Sequence, residues 1–283
     1  MNTATLLISC PDQKGITASI TDFIYRHQGN IEHADQHIDF QSNIFFMRIE
    51  WSLDNFEIPK DKIKESFNSL ADKFRMNFSL HFSSKIPRMA IFVSKQTHCL
   101  YDLLLKYKQG HLRCEIPLII SNHSEVKEIA KSFNLKFFYS VKNQKNKVAS
   151  ENKELTLLAK EKVDFLVLAR YGQIFTKEFV ENFPSRIINI HHSFLPAFIG
   201  SDPYRQAYSR GVKIIGATSH YVTEALDAGP IIDQDITRVS HRDCLEDLKR
   251  EGQDLERTVL SRAVRWHLEH KILVYANKTV VFD

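Results

Sequence analysis

The sequence predicts an α/β protein in two parts, an N-terminal βαββαβ unit followed by a mostly parallel sheet with intervening helices. Three observations carry this expectation. Apolar residues alternate in some runs and recur at three- and four-residue spacing in the runs between them. That rhythm breaks once, at Ser83-Ser84-Lys85-Ile86-Pro87, and beyond it the strand-like runs are almost continuously apolar. The 283 residues are enough for two domains, and 43% hydrophobic with 25% charged residues is an ordinary globular balance. Thirty-eight Lys and Arg against 34 Asp and Glu leave a net +4, too thin a charge to argue for a nucleic-acid or membrane surface.

TLLISC reads as an apolar strand ended by Pro11. In the helix that follows, Ile16, Ile20, Phe23 and Ile24 share one face, and Gly29-Asn30 ends it. Residues 31–40 and 44–51 read as extended, the second with Phe45, Met47, Ile49 and Trp51 on a buried face against Phe46, Arg48 and Glu50 outside. A second helix opens at Pro59 and carries Ile63, Phe67, Leu70 and Phe74, after which Phe78, Leu80 and Phe82 alternate in a last strand. A domain boundary is expected after residue 84, giving units of 1–84 and 85–283. Residues 88–94, 115–121, 135–140, 163–169 and 186–190 then read as buried parallel strands. After them come KIIGATSHYV, PIIDQDI, a long helical stretch from about Asp243 to His270, and a terminal pair around ILVYANKTVVF. The one basic cluster, Lys142, Lys145 and Lys147, reads as a solvated loop, with a weak role near an anionic ligand tail as the alternative.

Cys10, Cys99, Cys114 and Cys244 are scattered, with neither disulfide-framework nor zinc-thiolate spacing, which fits a reducing cytoplasm. The first ten residues carry no basic segment, and no apolar run approaches 18 residues, so neither a signal peptide nor a membrane span is expected.

In an open α/β sheet ligands bind beyond the carboxyl ends of the strands, which directs attention to the segment Asn189-Ile190-His191-His192-Ser193. Asn189 and His191 are two apart on a strand, so an amide and an imidazole emerge on one face. That pair suits polarisation of a carbonyl and stabilisation of an oxyanion; by itself it also reads as a polar strand end. Asp227 lies in a Gly-Pro turn, Leu226-Asp227-Ala228-Gly229-Pro230, where a lone carboxylate can act as a base on water or serve as a plain turn residue. His191, His192 and His220 with Asp227 are metal-ligand types. Neighbouring histidines on a strand face opposite ways, however, and no paired-histidine spacing accompanies them, so no metal is expected. Cys99 beside His98 fits helix capping and packing as well as a thiol dyad.

The segments IINIHHSFLPAFIG (187–200), PYRQAYSRGVKIIGATSHYV (203–222) and LDAGPIIDQDI (226–236), with THCLYDLL (97–104) and SNHSEV (121–126), resemble the folate-dependent formyltransferase and formyl-hydrolase superfamily. Over its length the chain resembles the superfamily's formyltetrahydrofolate deformylases, which carry an N-terminal ACT domain. The resemblance implies a ferredoxin-like ACT fold for the first unit and a Rossmann-like formyltransferase fold for the second. It implies a catalytic triad of Asn189, His191 and Asp227, and folate contacts at Arg170, Tyr171, Gly172, Gln173 and Ile174 and on the loop from Thr223 to Asp227. The implied activity is hydrolysis of 10-formyltetrahydrofolate to tetrahydrofolate and formate, which supplies formate for purine biosynthesis and balances the one-carbon pool. Folate is then the substrate and no cofactor is implied. Water attacks the formyl carbon, Asn189 and protonated His191 hold the oxyanion, and Asp227 relays the water proton to N10. Gly172 stands where a Met is common in deformylases, and Asp202 and Arg205 stand where Asn and His are expected, which puts pocket contacts in question.

Relatives that formylate a phosphorylated amine hold its phosphate in a glycine-rich loop after the first strand of the catalytic domain. Here Lys95-Gln96-Thr97-His98-Cys99-Leu100 has no glycine, so hydrolysis is expected over transfer to an amino sugar, nucleotide or aminoacyl-tRNA, and over a purely sensory role. In the first unit, Asp12, Gly15 and Ile16 begin the first helix with the charge pattern for a free amino-acid effector, and a homodimer or homotetramer is expected.

Overall fold

The computed structural model describes residues 2–197 and 202–283, and the chain divides into two compact units. The first takes the chain up to Ile86, together with His270–Tyr275 and Val280–Asp283; the second is Pro87–Glu269 with Ala276–Thr279. Residues 198–200, the end of the motif at 187–200, lie outside the described residues.

The first unit runs β1 (Thr3–Pro11), α1 (Ile16–Arg26), β2 (Asn30–Asp39), β3 (Ile44–Ser52), α2 (Lys60–Phe74) and β4 (Asn77–Phe82). Its strands form one antiparallel sheet in the order β2-β3-β1-β4. Ile16, Ile20 and Ile24 of α1 and Ile63, Phe67, Ala71 and Phe74 of α2 share a core with Phe45, Met47, Ile49 and Trp51 of β3. Fully burying one such large apolar side chain contributes about 1.5–3 kcal/mol, so this face fixes the register of the strands.

In the second unit β5 (Arg88–Val93), α3 (His98–Lys108), β6 (Glu115–Ser121), α4 (Val126–Ser132), β7 (Phe137–Tyr139), α5 (Lys147–Lys160), β8 (Phe165–Ala169), α6 (Lys177–Glu181) and β9 (Ile187–His191) are followed by α7 (Pro203–Arg210), β10 (Ile214–Tyr221), β11 (Ile231–Arg238) and the 24-residue α8 (Leu245–Leu268). The seven strands lie in the order β11-β10-β9-β8-β5-β6-β7. The five from β5 to β9 are parallel, as their apolar runs predict, and β10 and β11, whose orientation the sequence left open, are antiparallel. The order reverses between β5 and β8. The chain winds outward from β5 through β6 to β7, then crosses to build β8 and β9 on the other side, which opens a crevice at the carboxyl ends of β5 and β8.

β12 (Ile272–Tyr275) and β13 (Lys278–Val281) pair with each other. Within the first unit Leu273 and Phe282 pack on Leu7 and Phe46, which corrects the expectation that β3 buries one face only. Phe46 is 1% and Arg48 8% exposed, because residues more than 200 positions later cover the second face, and Arg48 Nε donates to the carbonyl of His270 at 3.1 Å. No helix among the described residues is long and apolar enough to cross a membrane.

Candidate active site

Asn189 and His191 come from the last turnless residues of β9, and the antiparallel ladder sets His220 of β10 directly across from Asn189. The register of β10 against β11 shifts at Ser219/His220, an irregularity of the kind that re-aims a side chain beside a site. Asn189 Nδ2 lies 3.1 Å from His220 Nε2, and His220 donates from Nδ1 to the carbonyl of Tyr221 at 2.9 Å. Asp227 arrives from the turn before β11. Its φ is +52°, a left-handed conformation that Asp tolerates better than most residues. Gly229 makes the turn possible, since a Cβ there would come 1.8 Å from the carbonyl oxygen of Tyr221.

The loop thereby brings Asp227 Oδ2 to 3.2 Å from His191 Nδ1 and Oδ1 to 3.6 Å from His220 Nε2. Burial alone raises the Asp227 carboxyl, but the hydrogen bonds from His191 and His220 outweigh it and hold the group well below the usual carboxylate range. With Nδ1 of His191 committed to Asp227, its buried Nε2 has no hydrogen-bond partner. An unpartnered polar atom in a cavity-lining, 5% exposed histidine is costly in a merely structural role.

A cavity of about 500 Å³ contains Asn189, His191 and Asp227 in its wall, together with Arg170, Tyr171, Gly172, Gln173 and Ile174 and the loop from Thr223 to Asp227. All the positions that the resemblance implies for catalysis and folate contact therefore line one crevice. Sequence reasoning missed the wall opposite, Ser94, Lys95 and Gln96 after β5, and His220 as a partner of the triad. The signal for His220 was its alternation with Ser219 and Tyr221, which places it on one face of a strand.

Arg170 also has a left-handed backbone, φ +61°, which is uncommon for a long side chain and typical of a constrained site. Its Nε is 2.9 Å from Gln96 Oε1 and 3.1 Å from a carboxylate oxygen of Glu256, a fully buried residue of α8. Glu256 also accepts from Tyr204 Oη at 2.5 Å and from His98 Nε2 at 2.8 Å. Gly252, one turn earlier, leaves room for the Tyr204 ring, which a Cβ would strike at 2.1 Å. Glu256, His98 and Cys99 have potential ligand atoms within 4.8 Å of one another, but the carboxylate's lone pairs and the His98 nitrogen are already turned to these protein partners. Cys99 is fully buried, and burial pushes its thiol well above the ordinary value, the opposite of an activated nucleophile.

The departures from the deformylase pattern have local explanations. A Cβ at Gly172 would meet only Ser94 Oγ, at 4.0 Å, so the backbone there does not require a glycine. Asp202 caps α7 and pairs with Arg205 at 3.0 Å on an exposed surface, so these two departures satisfy each other, and neither lines the cavity.

In the first unit Gly15, at φ +91°, stands at the start of α1 with open space where a Cβ would be. Asp12 is half-buried, its backbone N–H bound to the carbonyl of Asn43. Ile16 is 2% exposed and packs in the core, so it can offer a ligand only its backbone.

Residues 87–264 match the family model described as formyl transferase, and residues 4–72 match the ACT domain model. The chain is 57% identical over 280 residues to a formyltetrahydrofolate deformylase of Synechocystis, covering 99% of this chain and 98% of the relative. It is 50% identical over 279 residues to a formyltetrahydrofolate deformylase of Bacillus subtilis, covering 98% and 93%. It is similar to the crystal structure of a formyltetrahydrofolate deformylase from Pseudomonas syringae, with a TM-score of 0.97 and 43% identity over 100% of this chain and 95% of that one. With two family models in the expected order and identities this high over nearly its full length, the chain belongs to the formyltetrahydrofolate deformylase family.

Proposed function

We propose that the cavity of the second unit takes 10-formyltetrahydrofolate as substrate and that Asn189, His191 and Asp227 hydrolyse it to tetrahydrofolate and formate. The observation that carries this reading is the His191–Asp227 pair, with Nδ1 of the imidazole held at 3.2 Å and Nε2 left without a partner in the cavity wall. The doubly protonated ring donates from Nδ1 to Asp227 and from Nε2 to the formyl oxygen, while Asn189 supplies a second donor from Nδ2. Water adds to the formyl carbon and gives a proton to Asp227, which passes it to N10 as the C–N bond breaks. At rest the two histidines hold down the proton affinity of Asp227, which makes it a weak base. As the oxyanion forms, negative charge gathers beside His191 and offsets that influence, so Asp227 gains basicity at the step that needs it.

Tyr171, Phe175, Val222 and Leu226 give one side of the cavity an apolar and aromatic character that suits a pteridine, and Arg170, Tyr171, Gly172, Gln173, Ile174 and Thr223 are its proposed folate contacts. Folate enters as substrate, and the steps above route nothing through a resident cofactor. The test is formate release from 10-formyltetrahydrofolate by purified protein with no amine present, repeated with glycinamide ribonucleotide added. Hydrolysis predicts an unchanged rate and no formylated amine; a rise of about tenfold with the formyl group recovered in the amine would make the protein a transferase.

We also infer that residues 1–84 are a regulatory unit and 85–283 the catalytic one, except that His270–Tyr275 and Val280–Asp283 pack with the regulatory unit. Gly15 and the opening of α1 offer backbone N–H groups to a carboxylate, and Asp12 a partner for an ammonium, as a free amino-acid effector requires. Among the described residues β2 pairs only with β3 and is largely exposed along its ten residues, an edge on which a second copy can add strands to make a homodimer or homotetramer. Four free cysteines fit a cytoplasmic setting. Calorimetry with the common amino acids and light scattering check these points; absence of all binding, or a monomer, contradicts them.

A further inference from the structure

The stretch between β7 and α5 contains Lys142, Lys145 and Lys147, and its sequence reads as a solvated basic loop. Lys142 departs from that expectation: its side chain is 2% exposed. Nζ lies 2.8 Å from Glu154 Oε2 and 3.8 Å from Glu151 Oε1, on carboxylates that are themselves 0% and 2% exposed. Ser140 Oγ donates to the other oxygen of Glu154 at 2.6 Å. The ammonium also stands over aromatic rings, 4.3 Å from the centroid of Phe175, 5.4 Å from Tyr171, 5.6 Å from Phe179 and 6.0 Å from Phe92. Burial pushes Glu154 up and Lys142 down from their ordinary values, as it does for charges in a dry site.

A buried lysine with two buried glutamates is an expensive way to fill space, since apolar residues of similar volume serve a core as well or better. What distinguishes this cluster is where it makes contact. Tyr171 and Phe175 bracket the loop between β8 and α6 whose middle, Gly172 to Ile174, lines the folate cavity. Glu151 Oε2 accepts from both the backbone N–H of Thr176 at 3.2 Å and its hydroxyl at 2.5 Å, which fixes the end of the same loop where Thr176 caps α6. On the loop's cavity side the backbone N–H of Gly172 donates to Ser94 Oγ at 3.1 Å and Ile174 is 58% exposed. The loop's rings are held by a cation from the segment before α5 and its last residue by a carboxylate of α5.

We propose that Lys142, with Glu151 and Glu154, is a positioning residue for substrate: the buried cluster holds the Tyr171–Thr176 loop in the shape that receives the folate ring. This inference rests on the reading that the cavity binds folate. The cluster touches neither Asn189, His191 nor Asp227, so its loss weakens binding and leaves the chemical step alone.

The test is steady-state hydrolysis of 10-formyltetrahydrofolate and calorimetric binding of tetrahydrofolate by wild type, Lys142→Met and the double variant Lys142→Met/Glu154→Gln. The double variant removes one charge of each sign and leaves one buried carboxylate, Glu151, still bonded to Thr176, so it is less destabilised than the single variant, which strands two. For whichever variants remain folded by circular dichroism, KM and the tetrahydrofolate Kd should rise about tenfold while kcat stays within about twofold. A folded double variant with KM and Kd within twofold of wild type overturns the inference, whatever its melting temperature, and so does a fall in kcat at unchanged KM. A wild-type protein that neither binds tetrahydrofolate nor releases formate overturns the reading of the cavity and this inference with it.

Discussion

The two units of this chain bury different kinds of residue. Among the described residues the first buries only Thr3, Thr5 and Arg48 of polar type, whereas the second buries Glu151, Glu154, His191, His220 and Glu256 along with several hydroxyls. Their backbones differ in the same way. Both units place left-handed residues at turns or helix ends, among them Gln28, Asn43, Asn55 and Arg75 in the first and Asn134, Lys162 and Ser185 in the second, but the second also carries two, Arg170 and Asp227, in the wall of the cavity. Both units are well-packed α/β folds. The contrast shows that departures from ordinary folding rules collect where charge must be held in place for chemistry, and that a conventional core elsewhere can tolerate them.

Removing a buried charge should separate the units most clearly. Glu256→Ala leaves Arg170 and His98 without their shared carboxylate in a fully buried position, and should destabilise the protein by about 3–5 kcal/mol. Arg48→Met removes the equivalent charge from the first unit, but its partner Glu50 is 20% exposed and can recover solvent, so about 1 kcal/mol is expected. Urea unfolding of the two variants measures the difference. Equal losses would mean that the two units do not differ in how they carry buried charge.

A smaller effect sharpens the same comparison through pH. The Asp227 carboxyl has a folded-state pKa below its unfolded value near 3.8, so it contributes stability that is fully present above that value and is lost as pH falls through the depressed range. Wild type should therefore exceed Asp227→Asn in stability by about 2 kcal/mol between pH 5 and 8, with the gap narrowing below about pH 4. Thermal melts across that range check it, and a gap independent of pH would mean that the two imidazoles do not favour the ionised carboxylate.

Much of this arrangement was legible in the sequence because it follows from period and composition. The parallel strands β5, β6, β8 and β9 are mostly buried and read as nearly continuous apolar runs, and the two-residue spacing of Asn189 and His191 puts both side chains on one face. The same reading fails for β7, which is only half-buried, with Tyr139 52% exposed, because it lies at the edge of the sheet. Asp227 stood out because a lone acid before Gly-Pro sits at a turn. The burial of Phe46 and Arg48 was not legible, because their cover is supplied by Leu273 and Phe282 from the far end of the chain. His220 depends on a cross-strand register, and Glu256 is one acid among many on a polar helix, distinguished only by the gap that Gly252 leaves one turn before it. Lys142 was misread for a related reason. Local sequence makes a lysine-rich stretch look solvated, and the aromatic rings that enclose this one lie on other elements.

The central claim is that the His191–Asp227 pair performs the hydrolysis, and it is tested most directly by the turnover number of Asp227→Asn for formate release from 10-formyltetrahydrofolate. Removal of a general base typically costs a factor of about 100 to 10,000, so kcat should fall at least about 100-fold in a variant that remains folded at neutral pH and still binds tetrahydrofolate. Retention of more than about a tenth of wild-type kcat would contradict the account.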